Sequence, residues 1–375
     1  MNFRGTGMIN TVIVDDSAMM REIIRDFLKE DGSFNIIGEA SDGEEGVEKI
    51  LSLNPDLVTS DIEMPMMNGL EMIEKVMSRH PVPIVVITSH DTAKTAYEAA
   101  KSGALEFYSK DFFLKDISTE KKQNIYDTLK RISGIKARNN FTAGNFVDSS
   151  FPHNFDSGND ELKKPETACA TVFNTQKIDM VVIASSTGGP KALSKFFSMM
   201  PGDFPLPVAV VQHNSSGFDE GFAQWLDTFT QLNVKLAEEG ETPAAGYVYI
   251  AHTDKHLELR AASDGSGYIF RYNDNKAEQN QKPAADVLFR TAADACGKSL
   301  VSVVLTGMGA DGADGTQKVK MAGGKTIAQD EESSLIYGMP KAAFETGCVD
   351  KVLPLELIPD ELARLAHHTT ELKAQ

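Results

Sequence analysis

Basic charge is scarce in this 375-residue chain: 37 lysines and arginines stand against 54 aspartates and glutamates, a formal net charge of −17. Nucleic-acid and membrane-surface proteins draw affinity from basic patches, so this balance argues against both partners. Cysteine is nearly absent, with Cys169, Cys296 and Cys348 far apart and odd in number. That excludes a disulfide framework and fits a reducing compartment. No apolar run approaches the length of a membrane span, and the polar, glycine-containing start lacks a secretory pattern. No internal repeat stands out. These absences predict a cytoplasmic protein without membrane insertion, and the length is enough for two domains.

What is present is a repeated alternation of apolar strands and amphipathic helices. Strands are expected at 11–14, 34–37, 57–60, 84–88 and 105–108, with helices at 20–28, 44–51, 70–79, 92–102 and 120–132. Five such units imply a parallel sheet covered on both faces. Periodicity stops between about Gly134 and Lys177, where polar residues surround isolated phenylalanines, and this stretch reads as a linker. A second pattern follows. Its strands are expected at 179–184, 207–212, 247–251, 257–260, 268–271, 300–306 and 325–329, and its helices at 191–199, 219–229, 284–295, 312–321 and 355–367. The domain expectation is therefore 10–133, a linker at 134–177, and 178–368.

Sites in parallel sheets form at the carboxyl ends of strands. In the first domain those ends carry Asp15, Asp16, Asp61 and Thr88, with Lys110 just beyond the fifth. Three converging carboxylates call for a hard divalent cation, Mg²⁺. One of them can then attack a phosphoryl group while Mg²⁺, Lys110 and the Thr88 hydroxyl stabilise its oxygens. In the second domain, Ala184-Ser185-Ser186-Thr187-Gly188-Gly189-Pro190 follows an apolar strand and opens a helix. Such a turn either presents a serine nucleophile or cradles an anion. A serine needs a base and an orienting acid. His213 ends the strand at 207–212 and Asp311 follows the strand at 300–306, so both fall at the same sheet edge. His252 and His256 lack the glutamate of a zinc-hydrolase helix and read as structural. Gly307-Met308-Gly309-Ala310-Asp311-Gly312 also matches the dinucleotide fingerprint, which leaves an NAD-type oxidoreductase as one alternative, beside a non-catalytic second domain that only binds partners.

Residues 10–132 resemble a response-regulator receiver domain through Val14-Asp15-Asp16-Ser17, Asp61-Ile62-Glu63-Met64-Pro65, Gly69, Thr88, and Gly103-Ala104 leading to Lys110. The resemblance implies a flavodoxin-like fold in which Asp61 is the phosphoacceptor. Asp15, Asp16 and the backbone carbonyl of Glu63 would complete the Mg²⁺ site, and Phe107 would be the switch aromatic. Asp111 stands where that family usually has proline. Residues 178–367 resemble the catalytic domain of the CheB-type protein-glutamate methylesterases, a doubly wound α/β fold. The resemblance rests on the 184–190 turn, Val211-Gln212-His213, Tyr249-Ile250-Ala251, 305–312, and Ile327 through Pro340. It implies Ser186 as nucleophile, His213 as base, Asp311 as orienting acid, and an oxyanion hole from backbone N–H groups near Thr187 and Met308, with no cofactor for ester hydrolysis. Implied partners are methyl-accepting chemotaxis receptors as substrates and a chemotaxis histidine kinase as phosphodonor. Departures from the family pattern are Ala184, Ser185, Asn214-Ser215 and His252-Thr253.

Overall fold

The computed structural model describes residues 8–89, 93–114, 119–135, 177–263, 265 and 267–373. Most of the expected linker, with Cys169, lies outside them.

The amino-terminal domain runs β1 (Ile9–Val14), α1 (Ala18–Asp31), β2 (Phe34–Ala40), α2 (Gly43–Leu53), β3 (Leu57–Ser60), α3 (Gly69–Arg79), β4 (Ile84–Thr88), α4 (Ala93–Ser102), β5 (Glu106–Ser109), α5 (Lys110–Leu114) and α6 (Thr119–Ser133). The sheet order is β2-β1-β3-β4-β5, and every pairing is parallel. Strands β3 and β4 are buried along their whole length, as continuous apolar runs in parallel sheets require. The short α5 is the one element here outside the sequence expectation. It begins at Lys110, and the Asp111 N–H donates to the Ser109 hydroxyl, a bond that proline could not make.

The second domain runs β6 (Met180–Ser185), α7 (Gly189–Ser198), β7 (Val208–Gln212), α8 (Asp219–Asp227), β8 (Asn233–Leu236), β9 (Tyr247–Ile250), β10 (His256–Ala261), β11 (Tyr268–Asn273), α9 (Ala285–Cys296), β12 (Leu300–Val304), α10 (Ala313–Met321), β13 (Lys325–Gln329), α11 (Met339–Glu345), β14 (Lys351–Leu353) and α12 (Ile358–Lys373). Its main sheet has the order β14-β13-β12-β6-β7-β9-β8, all parallel. The strand order reverses between β6 and β12, so the switch point where such sheets place their sites lies there. β10 and β11 form a separate antiparallel hairpin. The edge strands β8 and β14 and the short α11 went unread because three to seven residues carry too little periodicity.

The two domains pack directly. Tyr97 of α4 is fully buried against Phe218, Phe222 and Trp225 of the second domain, with ring centroids 6.3, 5.1 and 5.5 Å away. The Ser215 hydroxyl donates to the Phe107 carbonyl at 3.3 Å. The Thr128 hydroxyl of α6 lies 3.5 Å from the Met308 sulfur.

Candidate active site and phosphoacceptor pocket

In the amino-terminal domain the predicted acids meet. Ligand oxygens of Asp15, Asp16 and Asp61 all lie within 4.8 Å of one another. That spread fits a small cation that takes ligands at about 2.1 Å on opposite sides. The Lys110 ammonium is 2.6 Å from Asp61 and 2.9 Å from Asp15. Burial pulls the Lys110 amine down, yet the two carboxylates outweigh it and hold it above its ordinary value. Burial likewise raises Asp15, a buried acid whose charge needs a cation. The second Asp61 oxygen accepts the Ile62 N–H at 2.7 Å. Thr88 is buried at the end of β4, whereas Glu63 is exposed. Phe107 is buried against Tyr97 at 5.1 Å, not exposed.

In the second domain the turn after β6 separates the two serines. Ser185 is the last strand residue, fully buried, and donates to Gln212 Oε1 at 2.6 Å. Ser186 is half-buried in the turn and lines a cavity of about 300 Å³ together with Thr187 and His213. Two glycines make the turn possible. Gly188 has φ of +76°, and a Cβ on Gly189 would stand 1.9 Å from Gln212 Oε1. Gln212 also donates to the carbonyls of Ser186 and His213, at 3.1 and 2.9 Å, and so ties β6 to β7.

His213 and Asp311 are hydrogen-bonded, Nε2 to Oδ2, at 2.8 Å. His213 Nδ1 is buried without a partner among the described residues. With Nε2–H donating to the carboxylate, Nδ1 carries the free lone pair. Asp311 in turn accepts the Ala285 and Asp286 N–H groups at the start of α9, at 2.7 and 2.9 Å. Burial alone would raise the Asp311 carboxyl, but His213 and these bonds hold it below its ordinary value. The exchange is reciprocal, because Asp286 Oδ1 accepts the Gly312 and Gly315 N–H groups at the start of α10, at 2.9 and 2.7 Å. Burial first, and the Asp311 charge second, push Asp286 up to about 7.

This arrangement removes the dinucleotide alternative. The α10 amino terminus that would hold a pyrophosphate is already occupied by Asp286. The space over Gly307 is filled too: a Cβ there would meet Met339 Sδ at 2.3 Å and Ser186 Cβ at 2.8 Å. The glycine serves close packing of 336–339 on the Ser186 turn. The backbone N–H groups of Thr187 and Met308 have no acceptor among the described residues and are available to a ligand. His256 is fully buried, accepting from the Ala284 N–H and bonding the Lys276 carbonyl, so it is structural. His252 pairs with Asp219 at 3.0 Å.

Residues 181–362 match the family model for CheB methylesterase, and residues 11–121 that for the response regulator receiver domain. The protein-glutamate methylesterase/protein-glutamine glutaminase of Pyrococcus horikoshii is 37% identical over 361 residues, covering 95% of this chain and 93% of its own. The chain belongs to the CheB methylesterase family. The Thermotoga maritima enzyme of the same name is 37% identical over 361 residues, covering 96% and 98%. The crystal structure of the Thermotoga maritima CheB methylesterase catalytic domain is 42% identical and spans 51% of this chain and 100% of that one, with a TM-score of 0.49. Sequence reasoning missed three members of this CheB-type site: Gln212, Asp286 and Glu106. The last belongs to the receiver's β5 yet lines the same cavity as Ser186. An Asp in a first helical turn and a Glu opening a strand carry no local signal of such roles.

Proposed function

We propose that Ser186, His213 and Asp311 act as a catalytic triad that hydrolyses glutamate methyl esters, and deamidates glutamines, on methyl-accepting chemotaxis receptors. The carrying observation is the His213 ring, bound to Asp311 through Nε2 with an unpartnered Nδ1, in the cavity that Ser186 lines. Nδ1 takes the Ser186 proton as Oγ attacks the δ-carbonyl carbon of the glutamyl side chain. The Thr187 and Met308 N–H groups receive the oxyanion, each donor worth about 3–4 kcal/mol in such sites. Protonated His213, held by ionised Asp311, returns the proton to methanol or ammonia as it leaves. Water then frees the acyl group by the same route in reverse.

The receiver regulates this chemistry. Asp61 takes a phosphoryl group from a chemotaxis histidine kinase, with Lys110 and Thr88 contacting its oxygens. Asp15, Asp16, Asp61 and the Glu63 carbonyl would hold Mg²⁺, which supplies charge neutralisation for the transfer. In the arrangement described, receiver residues Glu106, Tyr108 and Phe112 wall the Ser186 cavity, so a receptor helix cannot take the space they fill until they move. Methanol release from methylated receptor membranes tests the reading. Release is expected to rise with acetyl phosphate and Mg²⁺ and to vanish in Ser186→Ala; full activity in that variant would overturn the assignment.

A further inference from the structure

We propose that Glu106 of the receiver occupies the glutamyl side-chain subsite of the catalytic cleft, standing in for the glutamate that hydrolysis leaves on a receptor. The inference rests on the methylesterase reading and identifies what fills the site when the receiver is docked. Glu106 opens β5, an edge strand whose register partner is Val85 on β4. Its side chain turns out of the receiver into the cavity lined by Ser186, Thr187 and His213. It is chemically identical to the product side chain, and it reaches the cleft from a strand rather than a mobile end. The groups that stabilise its carboxylate are the Thr187 hydroxyl, the Phe107 N–H and the His213 ring. Of these, only Thr187 and His213 belong to the cleft, the Phe107 N–H being Glu106's own neighbour on the receiver; neither is a fixed positive charge, so the cleft suits a neutral glutamyl ester or amide as well as the acid. Burial pushes the Glu106 carboxyl up to about 7, so much of it is uncharged near neutrality and resembles those substrates more closely still.

The experiment uses the enzyme against itself. Glu106→Gln is isosteric and places a side-chain amide where the carboxyl sits. Ser186 Oγ adds to the amide carbon, the C–N bond breaks with ammonia leaving on the His213 proton, and water cleaves the resulting ester. The net change is amide plus water to carboxylic acid plus ammonia. Intact-protein and peptide mass spectrometry should therefore show position 106 returning to the acid in full-length Glu106→Gln, but not in Glu106→Gln combined with Ser186→Ala. A receiver that merely docks through this residue would not produce that conversion. Glu106→Ala should raise methanol release by unphosphorylated enzyme about three- to tenfold, the effect of removing one buried hydrogen-bonded contact. An amide that persists at position 106, in a sample whose phosphorylated form releases methanol from receptors, overturns the proposal and leaves the triad standing. Absence of methanol release from the wild-type chain would instead overturn the activity itself.

Discussion

At the scale of single residues, neighbouring hydroxyls in one turn are given different surroundings. Ser185 is spent on Gln212, while Ser186 faces the cavity. Ser186→Ala should therefore lower the turnover number by at least about 10⁴-fold, as loss of a nucleophile does elsewhere. Ser185→Ala should retain activity within about tenfold and cost about 1–3 kcal/mol of stability, because Gln212 loses a buried donor. Parallel methanol assays and urea denaturation separate the two; equal activity loss would mean the wrong serine has been chosen. Asp286 carries a pH signature. Its raised pKa means that the folded chain keeps a proton that the unfolded chain releases near pH 4. Its contribution is thus complete at low pH and declines as pH rises from about 4 to about 7. Asp311 is shifted the other way, so its contribution is lost only as pH falls through the lower carboxylate range. Asp286→Asn keeps an acceptor for Gly312 and Gly315 and should flatten the decline in urea midpoint between pH 4 and 7. An unchanged slope would rule out this residue as its source.

At the scale of elements, the site is a junction of strand ends and helix starts. β12, β6 and β7 are adjacent, so the loops carrying Asp311, Ser186 and His213 emerge side by side. α9 and α10 fix the acid by exchanging caps: each helix start holds the carboxylate of the other. The helix dipole at the α9 start favours the ionised Asp311 there. The β6–α7 turn has no spare volume. Gly189→Ala would drive a methyl into Gln212 and unseat the hydrogen bonds that place Ser186 and His213. We expect a loss of about 1–3 kcal/mol from overpacking and a turnover drop of at least about a hundredfold. Thermal denaturation and initial rates measure both, and a variant with wild-type kinetics would show that Gln212 does not position the site. The dinucleotide-like glycines were legible as a motif, but their purpose was not. Whether a glycine admits a pyrophosphate or a neighbouring loop depends on what packs above it.

At the scale of the whole molecule, the switch pocket and the cleft share one strand. Lys110, which bridges Asp15 and Asp61, directly follows β5, and Glu106 and Phe107 begin that strand at the domain interface. Under the proposed phosphorylation of Asp61, the new phosphoryl oxygens would compete for Lys110, and β5 and α4 are the elements placed to respond. A shift of a few kcal/mol in docking is enough to change the open population. The single tryptophan reports it, because Trp225 is fully buried against Tyr97. Acetyl phosphate with Mg²⁺ should shift its emission to the red in wild type and leave Asp61→Asn unchanged. Emission that ignores phosphorylation while methanol release responds would place the opening elsewhere. Asn214 and Ser215 line the cavity and Ser215 bonds the receiver directly, whereas His252 and Thr253 are held by the Asp219 carboxylate.

The sequence by itself determined both parallel α/β folds, the acids at successive strand ends and the serine, histidine and aspartate at one sheet edge. Strand–helix periodicity and strand-end position are local properties, and they carry these conclusions without tertiary detail. Tertiary structure alone decided which serine hydroxyl is free, which His213 nitrogen faces Asp311, and what occupies the fingerprint helix start. It also decided that a receiver glutamate lines the same cavity as Ser186. Each of those depends on groups 25 or more residues apart meeting in space, and no pattern confined to neighbouring residues encodes which of two adjacent side chains the fold will bury.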